Sequence, residues 1–438
     1  MKQINLRTSP VSFIRGDITV PGDKSISHRA IILGAIAQGM TSISGFLDGE
    51  DCMATLKAFR LMGVVIEGPV NQHVIIYGVG KYGLKKPDHI IDCGNSGTSM
   101  RLLAGLLAAQ GFDSQLTGDE SLLKRPMLRV AKPLTQMGAD ISSAEGKPPL
   151  IIKGGNTLSG INYVMPEASA QVKSCILLAG LYAQGTTRIT ETGISRDHTE
   201  RMLKTFSYPL SKKENTLIIH AEGECQGTEV SVPGDISSAA FFLVAAIITP
   251  NSNAIIRNVG INPTRTGIID ILKEMGADIR ILNQRQYGEE LVADLHVLHS
   301  PLVGINIPSE MVPLAIDEFP IIFIAAACAR GQTVLHGAKE LRLKESDRIG
   351  AMTDGLKQLG IEVEAFDDGL SIMGGLIQGG TVESRGDHRI AMSFAVAGAV
   401  ANGPIIIRDC ASVATSFPSF VTTANTLHFQ IEDIKADV

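Results

Sequence analysis

The chain has 438 residues, 44% of them hydrophobic and 19% charged, with a formal net charge of -6. That length predicts two domains, the composition excludes a disordered chain, and the negative charge argues against general nucleic-acid binding, so any anion site must come from a local cluster of cations. The opening "MKQINLRTSPVSFIRGDITV" has no signal-peptide core, "AAFFLVAAII" and "IIFIAAACA" are too short to span a bilayer, and six scattered cysteines read as reduced thiols with no structural zinc site, which predicts a cytoplasmic chain.

In chain order the predicted elements repeat. A strand running straight into a helix start appears as "ITVPGDKSISHR", "IIDCGNSGTSMR", "INYVMPEASAQVK", "VSVPGDISSAAFF", "INIPSEMVPLAIDEFP" and "VESRGDHRIAMSF". Each is followed by an apolar, Ala-rich stretch that ends in a small-residue turn and a second strand, as in "LGAIAQGMTSISG", "AGLLAAQGFDSQLTG", "AGLYAQGTTRITETG", "AACARGQTVLHGA" and "GAVANGPIIIRDC", with "VAAIITPNSNAIIRNVG" as a divergent copy. Gly39, Gly111 and Gly185 fall 72 and 74 residues apart, and Gly331 and Gly403 fall 72 apart. Another helix then leads to a glycine C-cap and a strand in "TLKAFRLMGVVIE", "AKPLTQMGADI", "IIDILKEMGADIRI" and "DGLKQLGIEVEA". "TERMLKTFSYPL" and "FVTTANTLHFQIE" fill the same slot without Met-Gly. The pattern predicts an α/β chain of six units of about 70 residues, each with two helices and roughly four strands, three units to a domain. One helix per unit is apolar nearly all round and is expected to be buried on every side.

The six helix starts serve as controls for one another. "VPGDKSISHR" and "VPGDISSAAF" share a backbone phrase, but the first carries Lys24, His28 and Arg29 where the second carries Ile236, Ala240 and Phe241. Burying the helix does not require the cations. The other starts bring Asn95, Ser96, Thr98 and Arg101; Ser169, Gln171 and Lys173; Asp317 and Glu318; and Asp387, His388 and Arg389. Helix N-termini offer unpaired N–H groups and a positive dipole end. Facing one another across two domains, they would form an anion trap. The second loops add Lys124 and Arg125, Arg196, and Arg342, Lys344, Glu345 and Arg348, enough to grip two anionic groups at once.

Neither G-x-x-x-x-G-K-[ST] nor G-x-G-x-x-G follows a strand, H-E-x-x-H and paired Cys/His clusters are missing, and no G-x-S-x-G elbow occurs. Acid and base must then be carboxylates or lysines. Asp317, beside the apolar "PLAIDEFPIIFIAAA", is a candidate base and equally a candidate helix N-cap. Glu345 is a candidate acid or a structural ion-pair partner of Lys344 and Arg348. His388 reads as a packed imidazole.

"PGDKSISHRA", "GNSGTSMR", "SLLKRPM", "ASAQVKS", "RDHTERM", "LRLKESDRI" and "GDHRIAM", in this order from about residue 15 to about 420, resemble the 5-enolpyruvylshikimate-3-phosphate synthase family, and "IDEFP" and "ATSFP" resemble its class II bacterial branch. The resemblance implies the two-domain enolpyruvyl transferase fold: six βαβαββ repeats, with residues 21–235 in one domain, residues 1–20 and 236–438 in the other, crossover hinges near 20 and 236, and the active site in the interdomain cleft. It implies transfer of the enolpyruvyl group of phosphoenolpyruvate to the 5-hydroxyl of shikimate 3-phosphate, with release of phosphate, on the shikimate pathway to aromatic amino acids. It also implies a glyphosate target that works without metal or organic cofactor, with small-molecule substrates and no nucleic-acid or membrane partner, as a monomer.

By the same resemblance, Lys24, Ser25, Arg29, Ser169, Ala170, Gln171, Arg196, Asp317 and Lys344 contact shikimate 3-phosphate. Lys24, Asn95, Gly97, Arg101, Arg125, Gln171, Arg348 and Arg389 contact phosphoenolpyruvate. Asp317 is the base for the 5-hydroxyl, Glu345 the proton donor to carbon, and Lys24 completes the catalytic group. Thr415 stands where many members carry a lysine, as elsewhere in class II. A UDP-N-acetylglucosamine enolpyruvyl transferase shares the repeats and the donor but usually carries a loop cysteine, and this chain has no cysteine between residues 94 and 174. A module that only binds anions would not place Asp317 and Glu345 beside its cations.

Overall fold

The computed structural model describes residues 4–435. Two units emerge: Gly22–Val232 together with Tyr287–Glu290 forms one, and the segment up to Pro21, Pro233–Gln286 and the segment from Leu291 onward form the other. The four-residue tip 287–290 of a long hairpin thus groups with the first of these units, a detail that no sequence pattern marked.

Twelve α-helices run through the described residues in an alternating inner and outer series. The Gly22–Val232 unit holds α1 (Lys24–Ile36), α2 (Glu50–Leu61), α3 (Gly97–Leu107), α4 (Leu128–Gln136), α5 (Ala170–Gly180) and α6 (His198–Thr205). The other holds α7 (Ile236–Ile248), α8 (Gly267–Glu274), α9 (Phe319–Ala327), α10 (Arg348–Gln358), α11 (His388–Ala397) and α12 (Phe420–Thr426). Odd-numbered helices are the apolar ones of the sequence pattern. Every residue of α7 and α9 is buried, and α7, α9 and α11 pack on one another to make the centre of their unit. An all-round apolar surface leaves a helix no other stable place.

Each unit carries three small sheets, one per repeat. Five sheets share one four-stranded plan, in which one strand lies parallel to the strand leaving an inner helix and two further strands join antiparallel. For α3, α5 and α11 the parallel strand is the one entering that same helix. The strand entering α1 (Arg15–Thr19) instead pairs with the strand leaving α7 (Asn253–Gly260), and the strand entering α7 (Glu229–Ser231) pairs with the strand leaving α1 (Gln38–Ser44). The fifth repeat departs from the plan. Its sheet has three named strands, and isolated parallel bridges from Val303 to Arg330 and Asn306 to Val334 stand where the entering strand would lie.

The outer helices end as the glycine signal predicts: Gly63, Gly138, Gly276 and Gly360 all have φ between 83° and 103°. In the two copies without that glycine the same left-handed position is taken by Ser207 (φ 58°) and His428 (φ 69°). The turn is thus kept by the repeat even where the residue that favours it is lost. No helix among the described residues is long and apolar enough to cross a membrane.

Candidate functional site

Five of the six inner helices begin with a side-chain cap. Asp23, Ser96, Ser169, Asp235 and Asp387 each accept a hydrogen bond from a first-turn N–H. α9 is the exception: Glu318 takes the N-cap position without capping, and Asp317 precedes it. The N-cap alternative for Asp317 is therefore not what the fold uses.

In the Gly22–Val232 unit, the starts of α1, α3 and α5 gather most of the predicted contacts. Lys24 opens α1 and pairs with Asp51 at 3.1 Å. Arg29, one turn on, is buried and held on three sides: Nε donates to Thr199 Oγ1 (2.6 Å), Nη2 to Ser174 Oγ (2.8 Å) and Nη1 to the Ser25 carbonyl (2.9 Å). Burial lowers its pKa to about 10, Glu200 and Asp23 oppose that, and nearby Arg196 adds to the lowering. Two cations therefore stand close in a desolvated place, an arrangement suited to an anionic ligand.

Arg101 Nη1 donates to Gln171 Oε1 (2.5 Å), and Gln171 Nε2 donates to Thr98 Oγ1 (3.0 Å), tying α3 to α5. Asn95 is held by Asp119, and its Oδ1 accepts from Arg125 Nη2 (2.9 Å). Gly97 lies under both arginines: a Cβ there would stand 2.9 Å from Arg101 Nη1 and 3.1 Å from Arg125 Nη1. Ser169 caps α5, and Ala170 is that helix's first residue. Lys173, whose side chain is 0% exposed, is spent on Glu191 (2.9 Å) and Glu200 (2.6 Å), and so joins the support rather than the anion-facing group. Lys124, 71% exposed, pairs with Glu120 on the surface.

The other unit brings together Asp317, Lys344, Glu345, Arg348, Asp387 and Arg389. Arg348, 1% exposed, donates to Asp387 (2.9 Å) and Glu345 (2.7 Å) and reaches Asp317 at 3.4 Å. Burial alone would lower its pKa, but Asp387, Glu345 and Asp317 outweigh it and hold the guanidinium charged. Asp387 is likewise pushed up by burial and pulled further down by Arg348, ending below the usual carboxylate range. Lys344 sits 3.3 Å from Asp317. Lys344 and Arg348 thus stand beside Asp317, and Arg348 beside Glu345. His388 is buried at the start of α11. Arg342 is structural, clamping Asp347 and the carbonyls of Phe366 and Asp367. Thr415 donates its hydroxyl to the Ser412 carbonyl (2.7 Å), closing its own turn.

Sequence reasoning missed the partners. Asp51, Ser174, Thr199 and Glu200 carry no motif of their own. A signal did exist: cations as buried as Arg29 and Lys173 need nearby acceptors, but the acceptors lie up to 170 residues away in the chain.

The family model described as EPSP synthase (3-phosphoshikimate 1-carboxyvinyltransferase) matches residues 8–423. A 3-phosphoshikimate 1-carboxyvinyltransferase of Legionella pneumophila (strain Lens) is 74% identical over 98% of this chain and 99% of its own. One from Methylococcus capsulatus is 59% identical, again over 98% and 99%. The solved EPSP synthase of Acinetobacter baumannii, 54% identical, superposes with a TM-score of 0.89 over 98% of this chain and 100% of that one. The enolpyruvyl transferase NikO of Streptomyces tendae, 16% identical, shares the fold with a TM-score of 0.81 over the whole of both chains.

Proposed function

The chain belongs to the EPSP synthase family and transfers the enolpyruvyl group of phosphoenolpyruvate to shikimate 3-phosphate with release of phosphate, and we propose that Asp317, Glu345 and Lys24 carry the chemistry. Asp317 takes the proton of the 5-hydroxyl as that oxygen bonds to the central carbon of phosphoenolpyruvate, and Glu345 delivers a proton to the CH2 carbon. A tetrahedral adduct results. Elimination removes a proton from the new methyl group and expels phosphate, restoring the double bond. Lys24 and the arginines compensate the charge that gathers on the adduct.

The observation that carries this reading is the pair of cations, Lys344 and Arg348, at 3.3 and 3.4 Å from Asp317. Held between two cations, the carboxylate is fixed in place to meet the 5-hydroxyl. Shikimate 3-phosphate is assigned to Lys24, Ser25, Arg29, Ser169, Ala170, Gln171, Arg196, Asp317 and Lys344. Phosphoenolpyruvate is assigned to Lys24, Asn95, Gly97, Arg101, Arg125, Gln171, Arg348 and Arg389. Action as a cytoplasmic monomer without a cofactor completes the proposal.

The test is phosphate release from phosphoenolpyruvate in EDTA, with shikimate 3-phosphate or UDP-N-acetylglucosamine as acceptor. Release with the first acceptor alone, and a fall in kcat of about 10²- to 10⁴-fold in Asp317→Asn, is expected. Release only with the second acceptor would overturn the acceptor, and an unchanged Asp317→Asn would overturn the base.

A further inference from the structure

A second carboxylate stands next to Asp317 in the chain, and the reaction as described does not use it. Glu318 is 1% exposed and makes no hydrogen bond to the N–H groups of the helix it begins. It accepts the Ser237 hydroxyl instead, while Oε1 lies 3.8 Å from Arg389 Nη1 and 3.9 Å from Arg265 Nη2. Its Oε2 is buried without a hydrogen-bond partner. Burying a carboxylate this way is costly, and a serine or aspartate at the same place would cap α9 better.

Arg265 does not need Glu318, because Asp235 (3.1 Å) and Ser237 (2.8 Å) already take its Nη2. Arg389 is different. Its backbone N–H is pinned by Asp387 Oδ1 (2.9 Å), and among the described residues Glu318 is the anion paired with its guanidinium. At 3.8 Å the pair attracts without tying up N–H donors, so the guanidinium fork stays available to a ligand.

We propose that Glu318 is a positioning residue for the transfer reaction: Ser237 and Arg265 fix its carboxylate, and the carboxylate fixes the Arg389 guanidinium to meet phosphoenolpyruvate. The proposal rests on the assignment of Arg389 to that substrate. Asp387 then sets where the Arg389 backbone begins and Glu318 sets where its side chain points.

Steady-state kinetics of Glu318→Gln, Glu318→Asp, Arg389→Gln and the Glu318→Gln/Arg389→Gln double variant tests it. Glu318→Gln should raise KM for phosphoenolpyruvate about tenfold, about 1.4 kcal/mol, with KM for shikimate 3-phosphate within about twofold of the wild type. Glu318→Asp should fall between, and the double variant should be no worse than Arg389→Gln alone. Unchanged KM for phosphoenolpyruvate, equal rises for both substrates, or additive effects in the double variant would each overturn the proposal. If Arg389→Gln itself leaves that KM unchanged, the assignment of Arg389 fails and the proposal fails with it. Should Glu318→Gln not fold, Glu318→Asp decides, with about a threefold rise expected and no rise fatal.

Discussion

Replacing Gly97 by alanine tests the phosphoenolpyruvate assignment through a single carbon atom. Gly97 is the first residue of α3, where alanine is a better helix former by up to about 1 kcal/mol, so the fold should tolerate the change. The added Cβ would stand 2.9 Å from Arg101 Nη1 and 3.1 Å from Arg125 Nη1. Ordinary contact begins near 3.4 Å, so the two guanidiniums must retreat by about half and about a third of an ångström. Neither moves freely, since Arg101 is tied to Gln171 at 2.5 Å and Arg125 to Asn95 at 2.9 Å. A hydrogen bond to a charged group is worth about 1.5–3 kcal/mol, and loss of much of one such bond to the substrate costs about 1–2 kcal/mol. That corresponds to a rise in KM for phosphoenolpyruvate of about 5- to 30-fold. KM for shikimate 3-phosphate and the melting temperature should hardly change, and inhibition by glyphosate should weaken at least as much as phosphoenolpyruvate binding. Initial-rate phosphate release with each substrate varied in turn reads all of this except melting. A KM for phosphoenolpyruvate within twofold of the wild type in a folded variant would refute the placement of Arg101 and Arg125 on that substrate.

Other consequences follow from burial. Asp387→Asn leaves Arg348 without its fully buried partner, and should cost about 3–5 kcal/mol, lowering the melting temperature by roughly 6–20 °C; a change under about 2 °C would contradict the pairing. His28 has its pKa lowered well below the usual value, first by burial and then by Lys24 and Arg29. Its contribution to stability is therefore complete above about pH 6.5 and is lost as pH falls, because the unfolded chain binds a proton that the folded site refuses. Melting curves from pH 7.5 to 5 should show a shallower decline for His28→Gln than for the wild type, and parallel declines would count against this. Ser207→Gly should raise stability by about 0.5–1 kcal/mol by relieving a left-handed φ of 58° at an exposed helix end, and a lower denaturation midpoint would show that the serine is at ease there.

The sequence by itself determined the repeats, the inner and outer helices and the identity of most candidate residues, because helix periodicity, glycine turns and buried apolar runs are local properties that each copy writes out again. It also marked a candidate site against bare scaffold: the same backbone phrase carries Lys24 and Arg29 in one copy and apolar residues in another. What it left undecided was the counter-charge of each cation. Arg29 and Lys173 stand near the starts of the first and third inner helices, yet Lys173 is sealed by Glu191 and Glu200 while Arg29, held by Thr199 and Ser174, keeps near another cation. Asp317 and Glu318 are adjacent in the chain, and only the packing sends one to Lys344 and Arg348 and the other to Ser237 and Arg389. Partners of this kind lie 18 to 170 residues apart, and desolvation, which makes their choice matter energetically, exists only once the tertiary structure has closed around them.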